Sequence, residues 1–221
     1  MNKIDSQVFN FLIDLENHND REWFSKNKKS YIEAFNNVES FINDLIKHIA
    51  EFDASVADQE AKKCIYRIYR DLRFTPDKRP YKIHFGAYIA MGGKSLNNAG
   101  YYVHIQNNMS FLAAGLWCPE RNLLKKIRQE IYYEPNTLNN ILNESKFKKQ
   151  WGKLGFDKMK RPPKDYPSDF EFIDLLMYKS FCTEKFLTNK EICSNQFMQT
   201  CIDAFSAGQP LVSYMNYIIK L

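Results

Sequence analysis

At 221 residues, 44% hydrophobic and 26% charged, the chain can build a core and lies far from the composition of disordered proteins. With 31 Lys and Arg against 26 Asp and Glu it carries a net charge of +5, a mild basic excess that falls short of the usual nucleic-acid-binding footprint. No run approaches the roughly 18 apolar residues of a membrane-spanning helix, and residues 1–10 have neither a basic n-region nor an apolar h-region, so the expectation is a cytosolic protein without a membrane partner.

No proline precedes residue 76 and no glycine precedes residue 86, so long helices are expected in the N-terminal third. Val8, Phe11, Leu12 and Leu15 make one apolar stripe on a helix at about Ser6 to Glu16. A second helix starts at Asn19 as cap, with Glu22 three residues on, and runs to about Ala50 on the 3.6-residue period of Tyr31, Phe35, Val38, Phe41, Ile42 and Leu45. The pair Asn36-Asn37 is a place for it to bend. From Lys62 the pattern changes to β-branched and aromatic runs bounded by Pro, Gly and Asn. Strands are expected at about Lys63 to Phe74, Lys82 to Met91, Gly100 to Gln106 and Met109 to Leu116, joined by hairpins into an antiparallel sheet. Helices follow at Pro119 to Tyr132, Asn136 to Gln150 and Ser168 to Leu176. Tyr178 to Leu187 reads as a fifth strand, and two closing helices, Asn189 to Ala207 and Leu211 to Lys220, are separated by Gly208 and Pro210. The whole is one α+β domain over 1–221: helical 1–51, sheet 62–117, then helices plus one further strand over 119–221.

Side chains alternate across a strand, and that parity collects a polar set on one face. Arg67, Tyr69, Asp71 and Arg73 share a face in the first strand, Lys82, His84 and Tyr88 in the second, and Tyr102, His104 and Gln106 in the third. A turn centred near Asp77-Lys78 would set Asp71 across from His84 and Arg73 across from Lys82. A second turn near residues 94 to 95 would bring His104 beside His84. Like charges directly opposite each other are destabilising unless an anion lies between them, which points to a carboxylate or phosphate. Asp71 beside His84 would be an orienter beside a general base, so these two are the candidate catalytic pair. Arg70 falls on the apolar face, so it is either buried and paired or displaced by a bulge. An ordinary wet face of an antiparallel sheet reads the same way, and both readings stand open here.

The run R-I-Y-R-D-L-R-F at 67–74, continued by T-P-D-K-R-P-Y-K at 75–82, resembles the domain-of-unknown-function family twenty-four sixty-one. The resemblance is supported by Gly100 to His104, Ala114 to Pro119, Ile127-Arg128, Asn27-Lys28 and Tyr31, over nearly the whole chain. It implies no activity. Its pattern falls on Arg67, Arg70, Asp71, Arg73, Lys78, Pro80, Tyr81, Lys82, Tyr102 and His104, the same patch that parity collects.

Other motifs carry less. Gly92-Gly93-Lys94-Ser95 resembles the end of a phosphate loop, but Tyr88 stands where its first glycine belongs, so a hairpin turn is expected. His84, His104 and Asp71 match a two-histidine, one-carboxylate set, which the surrounding cations disfavour as a metal site. Five cysteines (Cys64, Cys118, Cys182, Cys193, Cys201), an odd number without a C-x-x-C pair, fit reduced thiols; no metal or cofactor is expected. Residues 146–164 hold eight basic side chains and one acid, with Phe147, Trp151 and Phe156 among them. Cations interleaved with aromatics suit a nucleic-acid backbone and its bases, and a lysine-rich surface with its aromatics turned into the core looks the same in sequence.

The first expectation is therefore a small phosphate- or carboxylate-bearing ligand held by Arg67, Arg70, Arg73, Lys78, Lys82, Tyr102 and His104, with His84 and Asp71 available for proton transfer. The alternative is a non-enzymatic nucleic-acid module using Lys149, Lys153, Lys160, Arg161 and Lys164. A scaffold protein without a ligand is the third. Trp23 and Trp117 are read as core.

Overall fold

The computed structural model describes residues 3–94, 97–155 and 157–221. The N-terminal helices are α1 (Ser6–Asn17), α2 (Arg21–Lys26) and α3 (Lys28–Ala50), followed by one turn of helix, α4 (Ala61–Cys64). The long helix expected from Asn19 is broken at Asn27, and its cap is Asp20, whose carboxylate accepts from the Trp23 N–H at 2.9 Å. Asn36-Asn37 lies inside α3, where Asn37 turns outward to bind the Lys3 carbonyl and the Asp5 N–H.

Asn19 has a different task. Its side chain donates to the Tyr81 carbonyl and accepts from the Tyr81 N–H, both at 3.0 Å, joining the helical layer to the polar segment 62 residues away. Replacing it by Ala leaves two part-buried backbone groups unpaired, so Asn19→Ala is expected to cost about 1–3 kcal/mol in urea unfolding. An unchanged midpoint would show the clamp to be dispensable.

The sheet has four strands among the described residues, in the order β1 (His84–Ala90), β2 (Gly100–Gln106), β3 (Ser110–Leu116) and β4 (Phe181–Leu187), every neighbour antiparallel. The strand expected at Lys63 to Phe74 is missing. In its place Ala61–Cys64 is helical, the bridge Ile65↔Ala87 and the Tyr66 N–H on the Gly86 carbonyl tie the chain to the edge of β1, and residues 66–82 form an arm that folds on itself at Tyr69↔Tyr81. Pro76 and Pro80 have no N–H for a ladder, and Asp71 and Asp77 bond the backbone N–H groups of Arg73 and Arg79, so turns replace strand pairing. The expected fifth strand is thus the fourth of the sheet.

One sheet face is the core. Phe85, Ala87, Ile89, Tyr101, Val103, Ile105, Leu112 and Ala114 are all buried, as parity predicts. They are covered by α3 and by α10 (Phe197–Lys220), whose Phe41 and Phe197 rings stack with centroids 4.9 Å apart. The two closing helices expected on either side of Gly208 and Pro210 are one helix, preceded by a single turn, α9 (Asn189–Ile192). Burial of its face, which includes Leu211, Val212, Met215 and Ile218, outweighs the hydrogen bond that Pro210 removes. Between β3 and β4 the chain forms α5 (Arg121–Tyr133), α6 (Pro135–Asn143), α7 (Ser145–Trp151) and a short α8 (Ile173–Leu176). Arg128 of α5 donates to the carbonyls of Leu176 (2.7 Å) and Tyr178 (3.2 Å), which ties this excursion back to the start of β4. Among the described residues no helix is long and apolar enough to cross a membrane.

Candidate functional site

The other face of the sheet is open at its centre. Its floor is shaped by residue size: Gly100, Ala113 and Gly115 carry little or no side chain, while Tyr88, Tyr102, His104 and Phe111 stand around them. The result is a groove of about 630 Å³, walled by Tyr66 and Lys82 on the β1 side and by Trp117 and Cys182 on the far side. Gly86 is demanded by this arrangement, because a Cβ there would collide with the Tyr102 hydroxyl.

The imidazoles sit where the register places them. His84 pairs with Gln106 and His104 with Gly86, which leaves the two rings on one face with centroids 4.4 Å apart. The centre of the connecting turn, Ser95, lies outside the described residues. His104 is held from both ends: Nδ1 is 2.9 Å from the Tyr102 hydroxyl and Nε2 is 2.9 Å from Gln106 Oε1. An amide oxygen only accepts, so Nε2 carries the hydrogen, and in the neutral ring Nδ1 accepts from the Tyr102 hydroxyl. Burial lowers the His104 pKa, opposed by its bond to Gln106. His84 is pushed down further, to about 3, by burial first and then by His104 and Lys82. Among the described residues its ring nitrogens have no hydrogen-bond partner. At neutral pH it is an uncharged donor and acceptor facing the groove, too weakly basic for efficient general-base work.

At the β1 end three cations gather. Lys82 Nζ donates to the Arg67 carbonyl and Lys94 Nζ to the Ile65 carbonyl, both at 2.9 Å, and the two ammonium groups lie 5.4 and 5.5 Å from the centre of the Tyr66 ring. Burial, then Arg67 and Lys94, lower the Lys82 pKa. Among the described residues no carboxylate forms an ion pair with Arg67, Lys82 or Lys94. This end is positively charged and partly desolvated, with Asp71 near enough to Arg67 for the two charges to interact.

Several expected members of the set are elsewhere. The arm folds with Tyr69 opposite Tyr81 and the Arg70 N–H on the Pro80 carbonyl, so Asp71 lies opposite Arg79 rather than His84, and Arg73 is at the turn. Asp71 instead grips Arg73 through a forked pair at 2.7 and 3.0 Å, and its carboxyl is held down to about 2 by that guanidinium. The catalytic pairing of Asp71 with His84 and the set of two histidines and a carboxylate are therefore not assembled. Arg70 is paired with Asp77 at 2.6 Å but only half-buried, and no strand is present there for its parity to apply to. Lys78 donates to the Leu72 carbonyl within the arm. Of the expected ligand set, Lys82, Tyr102 and His104 line the groove, with Arg67 behind Lys82.

Lining residues outside that set include Tyr66, Tyr88, Phe111, Trp117 and Cys182. Trp117, read as core, is 55% exposed. Parity carried onward along β3 finds it, since 111, 113, 115 and 117 share the face of Tyr102 and His104; Cys182 needs the β3–β4 register, where it pairs with Gly115.

In the basic segment Phe147 is in the core and Trp151 is buried with its indole N–H on the Ala204 carbonyl at 2.9 Å; Phe156 lies outside the described residues. Lys149, Lys153, Lys160, Arg161 and Lys164 are exposed, without either of those two rings beside them as a stacking surface.

Among protein families, the one described as "Conserved hypothetical protein (DUF2461)" matches residues 7–214. No curated protein and no solved structure matches the chain.

Proposed function

We propose, on the premise that the chain belongs to the DUF2461 family of conserved hypothetical proteins, that the open sheet face binds a small molecule joining a flat apolar body to a carboxylate or phosphate. The observation that carries this reading is the juxtaposition of an aromatic-walled groove of about 630 Å³ with the cations Lys82, Lys94 and Arg67, none of which forms an ion pair among the described residues. Concave, largely apolar pockets with a few convergent polar groups are the usual form of small-ligand sites. Lys82 meets the anion, with Arg67 and Lys94 adding to the potential. Tyr102, Phe111 and Trp117 offer ring surface to the apolar body, and His84 supplies one neutral hydrogen bond beside the anion. The reading is of binding; the depressed His84 and the displaced Asp71 leave proton transfer out of it.

Anilinonaphthalene sulfonate, an aromatic anion, serves as the probe. Its fluorescence is expected to rise saturably on one site, and Lys82→Ala is expected to weaken binding about tenfold, the worth of one charge-assisted hydrogen bond. Trp117→Ala is expected to weaken it as well. Unchanged titrations of both variants would overturn the reading.

A further inference from the structure

The arm is anchored at its base and bare at its apex. Tyr81 stacks on Phe24 with ring centroids 4.0 Å apart and is clamped by Asn19, while Asp77 bonds both Arg70 and Arg79 at 2.6 and 2.8 Å. At the turn, Phe74 is 90% exposed and the Arg73 guanidinium lies 5.5 Å from its ring centre. Tyr69 is 51% exposed on the same arm. Residues 66–82 hold six cations (Arg67, Arg70, Arg73, Lys78, Arg79, Lys82) against two acids, a net charge of +4. Both acids are engaged by arginines of the arm itself, which stiffens the arm.

An exposed phenylalanine gains the free protein nothing, and a loop ordered in advance loses little entropy when it binds. The charge selects a polyanion and the ring selects a ligand with planar faces. An acidic peptide supplies the first without the second. A duplex hides its base faces, whereas a single strand offers both phosphates and unstacked bases. We propose that the arm is a docking surface for single-stranded nucleic acid, with Phe74 and Tyr69 stacking on bases and Arg67 and Lys78 following the phosphates. The interleaving of rings and cations that suggested nucleic acid at 146–164 is displayed on the surface here instead.

The test is fluorescence anisotropy with three probes: an oligothymidylate of about 12 nucleotides, an abasic strand of equal charge, and an oligoglutamate peptide. The oligothymidylate is expected to bind most tightly, with affinity falling steeply as salt rises. Phe74→Ala is expected to weaken it about tenfold while leaving the abasic strand unaffected. Lys78→Ala is expected to lower the salt slope by about 0.7 for the lost phosphate contact. Phe74 is almost wholly exposed, so an unchanged melting temperature should confirm that its variant is folded. Absence of binding at low salt, equal affinity for oligoglutamate, or a Phe74→Ala effect of the same size on the abasic strand would each overturn the proposal.

Discussion

Acidification from about pH 7 to about pH 4 is expected to remove roughly 3 kcal/mol of folding stability through His84 alone, a share that a His84→Gln variant does not lose. The sign follows from the two states. An unfolded histidine takes up its proton near pH 6.5, whereas in the folded chain burial, His104 and Lys82 hold His84 down to about 3. Between those values the unfolded chain binds the proton and the folded chain does not. Stability therefore falls as pH drops through 6.5, and the loss is complete only below 3. His104 is depressed by burial as well and acts with the same sign, so the variant still loses some stability, with a shallower slope. Asp71, held down to about 2 by Arg73, contributes stability that is lost only as pH falls below the ordinary carboxylate range, under most of this window. Urea midpoints of the two proteins at several pH values between about 7 and 4 provide the measurement. Parallel pH profiles would show that His84 is not held neutral by its surroundings. Because His84 lines the groove, the same experiment reports whether the groove is dry enough to desolvate an imidazole.

Gly115→Ala is expected to be the most damaging single-methyl change in the sheet, costing about 3–5 kcal/mol or preventing folding. Gly115 has φ +120°, a region closed to side chains, and a Cβ there would run into the carbonyl oxygen of Phe181 and lie 2.7 Å from the Cα of Cys182. The obstacle is the backbone of β4, not a side chain that can swing away. Among the described residues the β3 ladder is the one that holds β4, so the collision attacks the pairing of this strand, and it does so beside Trp117 at the groove wall. A melting temperature within about 3 °C of wild type, the shift worth roughly 1 kcal/mol in a chain of this length, would refute it.

The two findings also mark how far sequence reasoning reached. The polar face of β1 and β2 was legible because period-two alternation is local: Phe85, Ala87 and Ile89 against His84 and Tyr88, and Tyr101, Val103 and Ile105 against Tyr102, His104 and Gln106, sort without coordinates. The β1–β2 hairpin is short enough that its register, and with it the His84–His104 contact, followed from the turn. The arm was misread because its alternation of Arg67, Tyr69, Asp71 and Arg73 looks like a strand, while Pro76, Pro80 and two aspartate-capped turns prevent a ladder. A shift of about five in the sum of paired residue numbers separated Asp71 from His84 and turned a supposed catalytic pair into a surface ion pair. Helix ends failed similarly: Asn19 and Asp20 are equally good caps in isolation, and only the distant Tyr81 decides which of them is used.

Composition and periodicity by themselves determined the α+β class, the antiparallel hairpins and which face of each central strand is buried, because these depend on neighbours a few residues apart, while the family was legible from the motif at 67–82. Only the tertiary structure decided that Cys182 of β4 joins the groove lining, that Trp117 and Tyr66 both line it, that Phe147 and Trp151 are core, and that Phe74 stands in solvent. Each of these depends on which surface a distant segment covers. That choice is made by the summed burial of the whole chain, which no local window of sequence contains.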